Sequence, residues 1–468
     1  MRGLAMMMLP EFYLLFFSII FLFFSIGKGR VNVFPWAKIL SLIGLVATLI
    51  SINARGSLFS GAYKIDLFSQ VFKALVMCGL VFVIFMLDKR DEIEEKYRCE
   101  YFMFLGLSTL GLMMLVSSVE LVSIAISLEI SSYSLYAIVP LRKGQTRMQL
   151  EASMKYLFFG AISTGVMLYG MGYLYGMTHS TFLSNIMVAL PKFLDQPIGI
   201  LAVVLTMTGF FFKLSLFPFH FWSPDIYEGA SNTTTTFIAT VPKLAAVALL
   251  MRIATLACPA EPAFVTILIV LSALSMTLGN LVGLVQKDVK RLLGYSGIAH
   301  AGYVLMGILA MTKDGNASAI YYMTVYLFMN LGCFYVVLLL SKSGENVSVN
   351  DLAGLAKRAP LLAFTLAVSA FSLAGIPPTG GFTGKLFLFT NAFKEGHLAI
   401  VIIGAVNTVI SIFYYLNLVR MSYSREPAGV ERIDLSIHEK ALCYLLIFLV
   451  LYMGIMPFGF MQVFRAAV

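Results

Sequence analysis

The chain has 468 residues, 59% of them hydrophobic and only 12% charged, whereas a soluble domain carries about a quarter charged residues. That composition excludes a soluble enzyme. The formal net charge of +9 is not a nucleic-acid signal, because the Lys and Arg residues sit in short loops between apolar runs, where they orient a membrane protein.

Runs long enough to cross a hydrocarbon core, roughly twenty apolar residues each, recur about fourteen times along the chain. They fall near 10–26, 34–52, 67–87, 101–116, 119–139, 152–176, 197–221, 233–256, 263–284, 291–311, 317–341, 361–394, 398–420 and 440–462. Barrel strands alternate in polarity and these runs do not. The expected fold is therefore an all-α polytopic membrane protein of about 14 transmembrane helices. The first run lacks a small-residue cleavage site and reads as a helix, not a cleaved signal peptide. Cys78, Cys99, Cys258, Cys333 and Cys443 are scattered, which argues against a disulfide framework or an iron–sulfur cluster. The five histidines are equally dispersed. YGMGYLYG lacks the spacing of a nucleotide loop, and no P-loop, flavin or metal constellation is written.

Loops after odd-numbered spans carry Lys28, Arg30, Lys89, Arg90, Arg142, Lys143, Lys287, Lys290, Lys357 and Arg358, among others. Loops after even-numbered spans hold only Arg55, Lys64, Lys192, Lys313 and Lys394. The positive-inside rule then places both termini outside a bacterial inner membrane.

Charge inside these runs is the strongest local signal, since a Lys or Glu at the bilayer centre costs roughly 2.5–3.5 kcal/mol on the mildest scale. Glu129 lies midway along LVSIAISLEISSYSLYAIV, with Ser132, Tyr133 and Tyr136 on its helical face. A structural ion pair is the plain alternative to a proton site. Glu120, near the span's edge, reads as an interfacial or inter-subunit carboxylate. Two runs are broken: FFFKLSLFPFHFW by Pro218, and SLAGIPPTGGFTGKLFLF by Pro377, Pro378, Gly380 and Gly381. Broken helices at membrane depth are tolerated where they line a polar cavity or are buried in protein. The breaks lie five spans apart, an odd offset that reverses topology, as in inverted-repeat transporters.

Lys213 precedes the first break, Lys385 follows the second, and Lys243 lies in TTTTFIATVPKLAAVALL with Thr236 and Thr240 on its face. Snorkelling suits span ends, and Lys213 and Lys243 look internal. Lysine can lose its proton in a desolvated site and arginine cannot, so three lysines favour a proton relay over static pairing. His220 and His300 are candidate proton shuttles, although a lone intramembrane His is often merely hydrogen-bonded. Asn280, Asn330, Asn407 and Thr408 read either as water-ordering groups or as packing glue. Asp225 and Glu228 read as solvated acids or caps, and Lys287 to Arg291 as an orientation signal.

Four segments carry a family resemblance: SLEISSYSLYAIV, FFFKLSLFPFHFWSPDIYEGA through FIATVPKLAA, RLLGYSGIAHAGYVLMGI and AGIPPTGGFTGKLFLF. Together they resemble the antiporter-like membrane subunits of proton-translocating NADH:quinone oxidoreductase, the respiratory complex I family. Lys385 after the second break favours the N-type over the M-type, which usually has glutamate there. The tail is too short for the lateral helix of the L-type. One departure is EGASNTTT, where the family usually reads EGAPTPVT, which puts the entry to the eighth span in doubt.

The resemblance implies three N-terminal helices over 1–100 and a first five-helix repeat (spans 4–8) over 101–256. A second, inverted repeat (spans 9–13) would cover 257–421, and a loop with the last helix 422–468. It also implies that Glu129 pairs with Lys213, that Lys243 is a central relay and that Lys385 is the exit-side lysine. Flavin, iron–sulfur clusters and quinone would belong to partner subunits, with no cofactor in this chain. Its partners would be other membrane subunits, lipids and internal water. The alternatives are an Mrp-type cation/proton antiporter subunit, a subunit of a related hydrogenase or dehydrogenase, and a structural scaffold.

Overall fold

The computed structural model describes residues 6–27, 32–87, 92–144, 147–256, 262–341, 344–424 and 432–468, without the side chains of 255, 256 and 262–264. Cys258 lies outside these residues. In lipid every backbone polar group must find a partner inside the chain, and helices achieve this within one segment.

The helices run α1 Leu9–Ile26, α2 Val33–Ile50, α3 Leu67–Met86, α4 Arg98–Ser117, α5 Leu121–Ile138, α6 Arg147–Thr178 and the short α7 Leu183–Ala189. They continue as α8 Pro197–Leu214, α9 Trp222–Gly229, α10 Asn232–Leu256, α11 Pro262–Gly283, α12 Val289–Leu309 and α13 Lys313–Leu340. After the one-turn α14 Leu355–Arg358 come α15 Pro360–Ala374, α16 Gly380–Lys394, α17 Leu398–Tyr423, α18 Ile437–Ile455 and α19 Pro457–Ala467. Among the described residues, 13 helical stretches are long and apolar enough to cross a membrane.

The predicted span 361–394 is instead α15 and α16, of 15 residues each. Neither can span alone, which accounts for 13 rather than 14. The predicted last span, 440–462, is also interrupted, with Pro457 opening α19 after α18 ends. One small hairpin departs from the all-helical expectation. Its strands, β1 Gly56–Leu58 and β2 Tyr63–Ile65, pair antiparallel with Ser57 opposite Lys64.

Both helix breaks are stopped the same way. Ser215 ends α8 with φ 59° and Gly375 ends α15 with φ 84°, left-handed conformations that terminate a helix. After Gly375, the Ile376 N–H reaches back to Phe371 O at 2.9 Å. Prolines follow, and the Phe217–Pro218 and Pro377–Pro378 bonds are cis. Gly381 is required by contact: a Cβ there would lie 1.8 Å from Ser372 O. Its N–H accordingly meets the Ser372 hydroxyl at 3.0 Å.

Contacts divide the chain into two compact units. The first holds 1–215 and 229–265, the second 216–228 and 266–466, apart from the last two residues. In the first unit α10 is buried along its whole apolar length and packs on α3, α4 and α8. In the second, α13 is enclosed by α12, α15, α16 and α18. The outer helices α1, α2, α6, α17 and α18 keep most of their apolar surface exposed, as lipid or neighbouring subunits require.

One ion pair anchors α10 to the start of α3. Asp66 caps α3 through Ser69 N–H at 2.9 Å and accepts Arg252 from α10 at 2.8 and 3.0 Å. Burial favours the neutral acid, but the Arg252 hydrogen bonds and charge outweigh it and hold the Asp66 carboxyl at about 2. The pair therefore stabilises fully above about pH 4, the ordinary carboxylate range, and loses its contribution as pH falls through the depressed value. Asp66→Asn should lower thermal stability at neutral pH, by about 2 kcal/mol, and flatten its decline on acidification. An unchanged acid profile in a melting series would contradict this.

Candidate functional site

In the first unit the polar groups gather where α5, α6 and α8 meet. Glu129 is half-buried on α5, and the Thr164 hydroxyl of α6 donates to its Oε1 at 2.6 Å. Lys213, in the last turn of α8, is 3% exposed, and its Nζ donates to Ser132 Oγ at 3.2 Å. Ser132 is one turn along α5 from Glu129. The lysine thus sits within electrostatic reach of Glu129, yet its described hydrogen bond goes to the intervening serine. Position at a helix C-terminus also suits a cation. Tyr136 and Ser132 face inward as expected, but Tyr133 is 63% exposed. At i+4 it lies just past the buried edge of the stripe. Glu120 proves to be the cap of α5, accepting Ser123 N–H at 2.7 Å.

Lys243 lies in the middle of α10, buried to 2% exposure beside the in-helix Pro242. Thr240 and Thr236 lie on its side of the helix, but their hydroxyls bond carbonyls one turn back, Thr236 O at 2.6 Å and Asn232 O at 2.7 Å. They are therefore part of the helix's own bonding. The unusual SNTTT entry has a compensating partner. The buried Glu92 carboxylate accepts Asn232 Nδ2 at 2.7 Å, Thr233 N–H at 3.1 Å and Thr233 Oγ1 at 2.9 Å. Where a proline would lack the N–H, this chain has one, and Glu92 satisfies it at the positive end of the helix.

In the second unit Lys385 is 3% exposed on α16. Its Nζ donates to Leu373 O and Ala374 O, both at 3.1 Å. These carbonyls end α15, so the helix break itself supplies the negative end of a dipole. The ammonium also lies 4.6 Å from the centre of the Tyr303 ring. Among the described residues no carboxylate pairs with Lys385.

His300 is held between two phenols. Its Nδ1 meets Tyr322 OH at 2.6 Å and its Nε2 meets Tyr415 OH at 2.9 Å. The Tyr415 hydroxyl in turn meets Ser296. Tyr303 accepts from Thr408 at 3.2 Å. Asn280, Asn407, Tyr414 and Thr277 bond one another at 2.9–3.2 Å, so these asparagines act first as packing glue. His220, 4% exposed, lies between Phe217 and Phe221, with ring centres 5.7 and 4.4 Å away and, among the described residues, no hydrogen-bond partner on Nδ1.

Asp225 and Glu228, both on α9, differ from expectation. Asp225 and Glu228 both accept Arg291 Nη1, at 2.7 and 2.6 Å. Arg291 is thus a structural cation clamped by two carboxylates, in addition to any orienting role. Thr164, Tyr322, Tyr415 and Glu92 had no sequence signal. Each lies in a different element from the residue it serves, and a hydroxyl or a loop acid is ordinary in those places.

Residues 118–411 match the family described as NADH:quinone oxidoreductase/Mrp antiporter, TM. The chain is 45% identical over 457 residues to NADH-quinone oxidoreductase subunit N 2 of Opitutus terrae, covering 96% of this chain and 95% of that protein. The chain belongs to this NADH:quinone oxidoreductase/Mrp antiporter family. A chain of respiratory complex I from Thermus thermophilus, solved with bound aureothin, superposes with a TM-score of 0.85 at 29% identity, over 98% of this chain and all of that one. A chain of the Mrp complex from Dietzia sp. reaches 0.88 over 100% of this chain and 97% of its own length. Its 18% identity makes that a likeness of fold alone.

This antiporter-family chain thus places a buried lysine beside each of its two helix breaks and a third within an unbroken helix. Tyr415, fully buried, supports His300 and Ser296 through one hydroxyl. Tyr415→Phe should remove this partner from His300 Nε2 and from the Ser296 hydroxyl, and cost about 1–3 kcal/mol. The check is a lower melting midpoint of the purified complex, and an unchanged midpoint would remove this contact from the account.

Proposed function

We propose that this chain is the N-type membrane subunit of a complex I-type NADH:quinone oxidoreductase and moves protons across a bacterial inner membrane. The observation that carries the reading is the enclosure of Lys213, Lys243 and Lys385, each at most 3% exposed, in helices broken or proline-marked beside them. A charge costs several kcal/mol in such surroundings. Lysine can meet that cost by releasing its proton, which arginine cannot.

In this reading a pulse from neighbouring subunits shifts the balance between Glu129 and Lys213. Ser132 and Thr164 hold the two side chains in position. Lys213 passes a proton by internal water to Lys243, and Lys385 delivers one to the outer side. The carbonyl ends of α15 stabilise the ammonium form of Lys385, and loss of one proton leaves a neutral amine they still accept hydrogen bonds from. His300, with Tyr322 and Tyr415, offers a second chain of exchangeable protons. His220 stands at the first break. Both termini face outward, with α15 and α16 together making the fourteenth crossing, spans 4–8 and 9–13 form the inverted repeats, and flavin, iron–sulfur centres and quinone belong to partner subunits.

The fold-level likeness to an Mrp chain keeps one other reading open, a cation/proton antiporter subunit. Co-purification with iron–sulfur subunits distinguishes the two, since an antiporter has none. Positioned proton-transfer groups are worth about 10²-fold or more. Lys213→Ala or Glu129→Ala should therefore slow proton delivery at least tenfold in membranes that still assemble the complex. An unchanged proton-to-electron ratio would refute the roles given to both residues.

A further inference from the structure

The first unit contains a second buried charge cluster, which adjoins the Asp66–Arg252 pair and shares no residue with Glu129, Lys213 and Lys243. Glu11, in the first turn of α1, and Lys73, in the second turn of α3, form an ion pair of 2.6 Å with side chains 3% and 0% exposed. Tyr63, at the start of β2, donates to the same Glu11 Oε1 at 2.6 Å. Its ring lies 5.3 Å from the Lys73 ammonium. Burial, and then the adjacent Glu11 carboxylate, hold the Tyr63 phenol well above its usual value, so it stays protonated and donates to Glu11. On α3, Asp66, Gln70 and Lys73 follow one another at i, i+4 and i+7 and share a face.

This cluster combines two kinds of pair. Asp66–Arg252 cannot be neutralised from the cationic side, because a guanidinium keeps its proton. Glu11–Lys73 can. Moving one proton from Lys73 Nζ to Glu11 breaks an N–H bond, forms an O–H bond and converts ammonium and carboxylate to amine and acid. Neither product is charged, which low-dielectric surroundings favour. Among the described residues, Glu11 Oε2 and both amide atoms of Gln70 are fully buried without a partner, and buried polar atoms of this kind are served by internal water.

We propose that Glu11 and Lys73 form a second proton-exchange site, with water at Glu11 Oε2 as the ligand that brings and removes the proton. From hydronium the pair gains one proton to become ammonium and acid, leaving water. To water it gives that proton back. Arg252, bonded to Asp66 and to Val116 O at 2.9 Å, lies nine residues beyond Lys243 on α10, about 14 Å along a helix rising ~1.5 Å per residue. The charge state of the pair is thereby felt on the helix of the central relay lysine. The inference rests on the proton-pumping reading above.

Single substitutions Glu11→Gln or Lys73→Met strand one buried charge and should impair assembly. The double variant E11Q/K73M removes both charges at nearly constant volume and should restore it. The assembled E11Q/K73M complex is expected to show a lowered proton-to-electron ratio, whereas a normal ratio makes the pair a static bolt and overturns the proposal. Should the double variant fail to assemble, Lys73→Arg keeps the positive charge but cannot hand a proton to Glu11, and the same two outcomes apply. K213M is measured alongside. A lowered ratio there with a normal one in E11Q/K73M rejects only the second site, while a normal ratio in K213M rejects the relay itself.

Discussion

Hydrocarbon offers no hydrogen bonds, and every other feature of this chain answers that constraint. Backbone groups are satisfied by helices, and where a helix stops at membrane depth something else must take over. At Gly375 the freed carbonyls of Leu373 and Ala374 meet the Lys385 ammonium, so the defect and the charge satisfy one another. At Lys213 the ammonium lies in the last turn of α8 and turns to Ser132. In both cases an arrangement that would be costly alone becomes tolerable as a pair.

The two units meet the same requirement with different chemistry. The first uses a carboxylate, Glu129, steadied by Thr164. The second uses helix-end carbonyls and an aromatic surround, with Tyr303 under the lysine and His300 held by two phenols.

Much of this was legible in the sequence because lipid imposes a strong pattern. Long apolar runs gave most of the spans within a few residues, Pro218 marked the first break, and Pro377, Pro378, Gly380 and Gly381 marked the second. Lys213, Lys243, Lys385 and His300 stood out by being charged or titratable where charge is expensive, and all four are buried. What stayed hidden were partners from distant elements. Glu92 serves Asn232 from 140 positions away and Tyr415 serves His300 from 115, separations no periodicity reveals. Lys73 passed unnoticed because it lies close enough to a span's start to resemble a snorkelling anchor. Tyr133 shows the limit of helical-face arithmetic, since one step around the helix separates the interior from the exposed surface. The hairpin at 56–65 was too short to register, and the split of the predicted span 361–394 into two half-helices shows that a marked break need not leave either half long enough to cross.

The central claim is that these lysines work by changing protonation and not by carrying a fixed charge. Lys243→Arg tests it most directly, because it keeps the positive charge at the centre of α10 while removing the ability to release a proton. The measurement is the proton-to-electron ratio of the assembled complex. The account predicts normal assembly with a lost or sharply reduced ratio, and an assembled Lys243→Arg complex that pumps normally would contradict it.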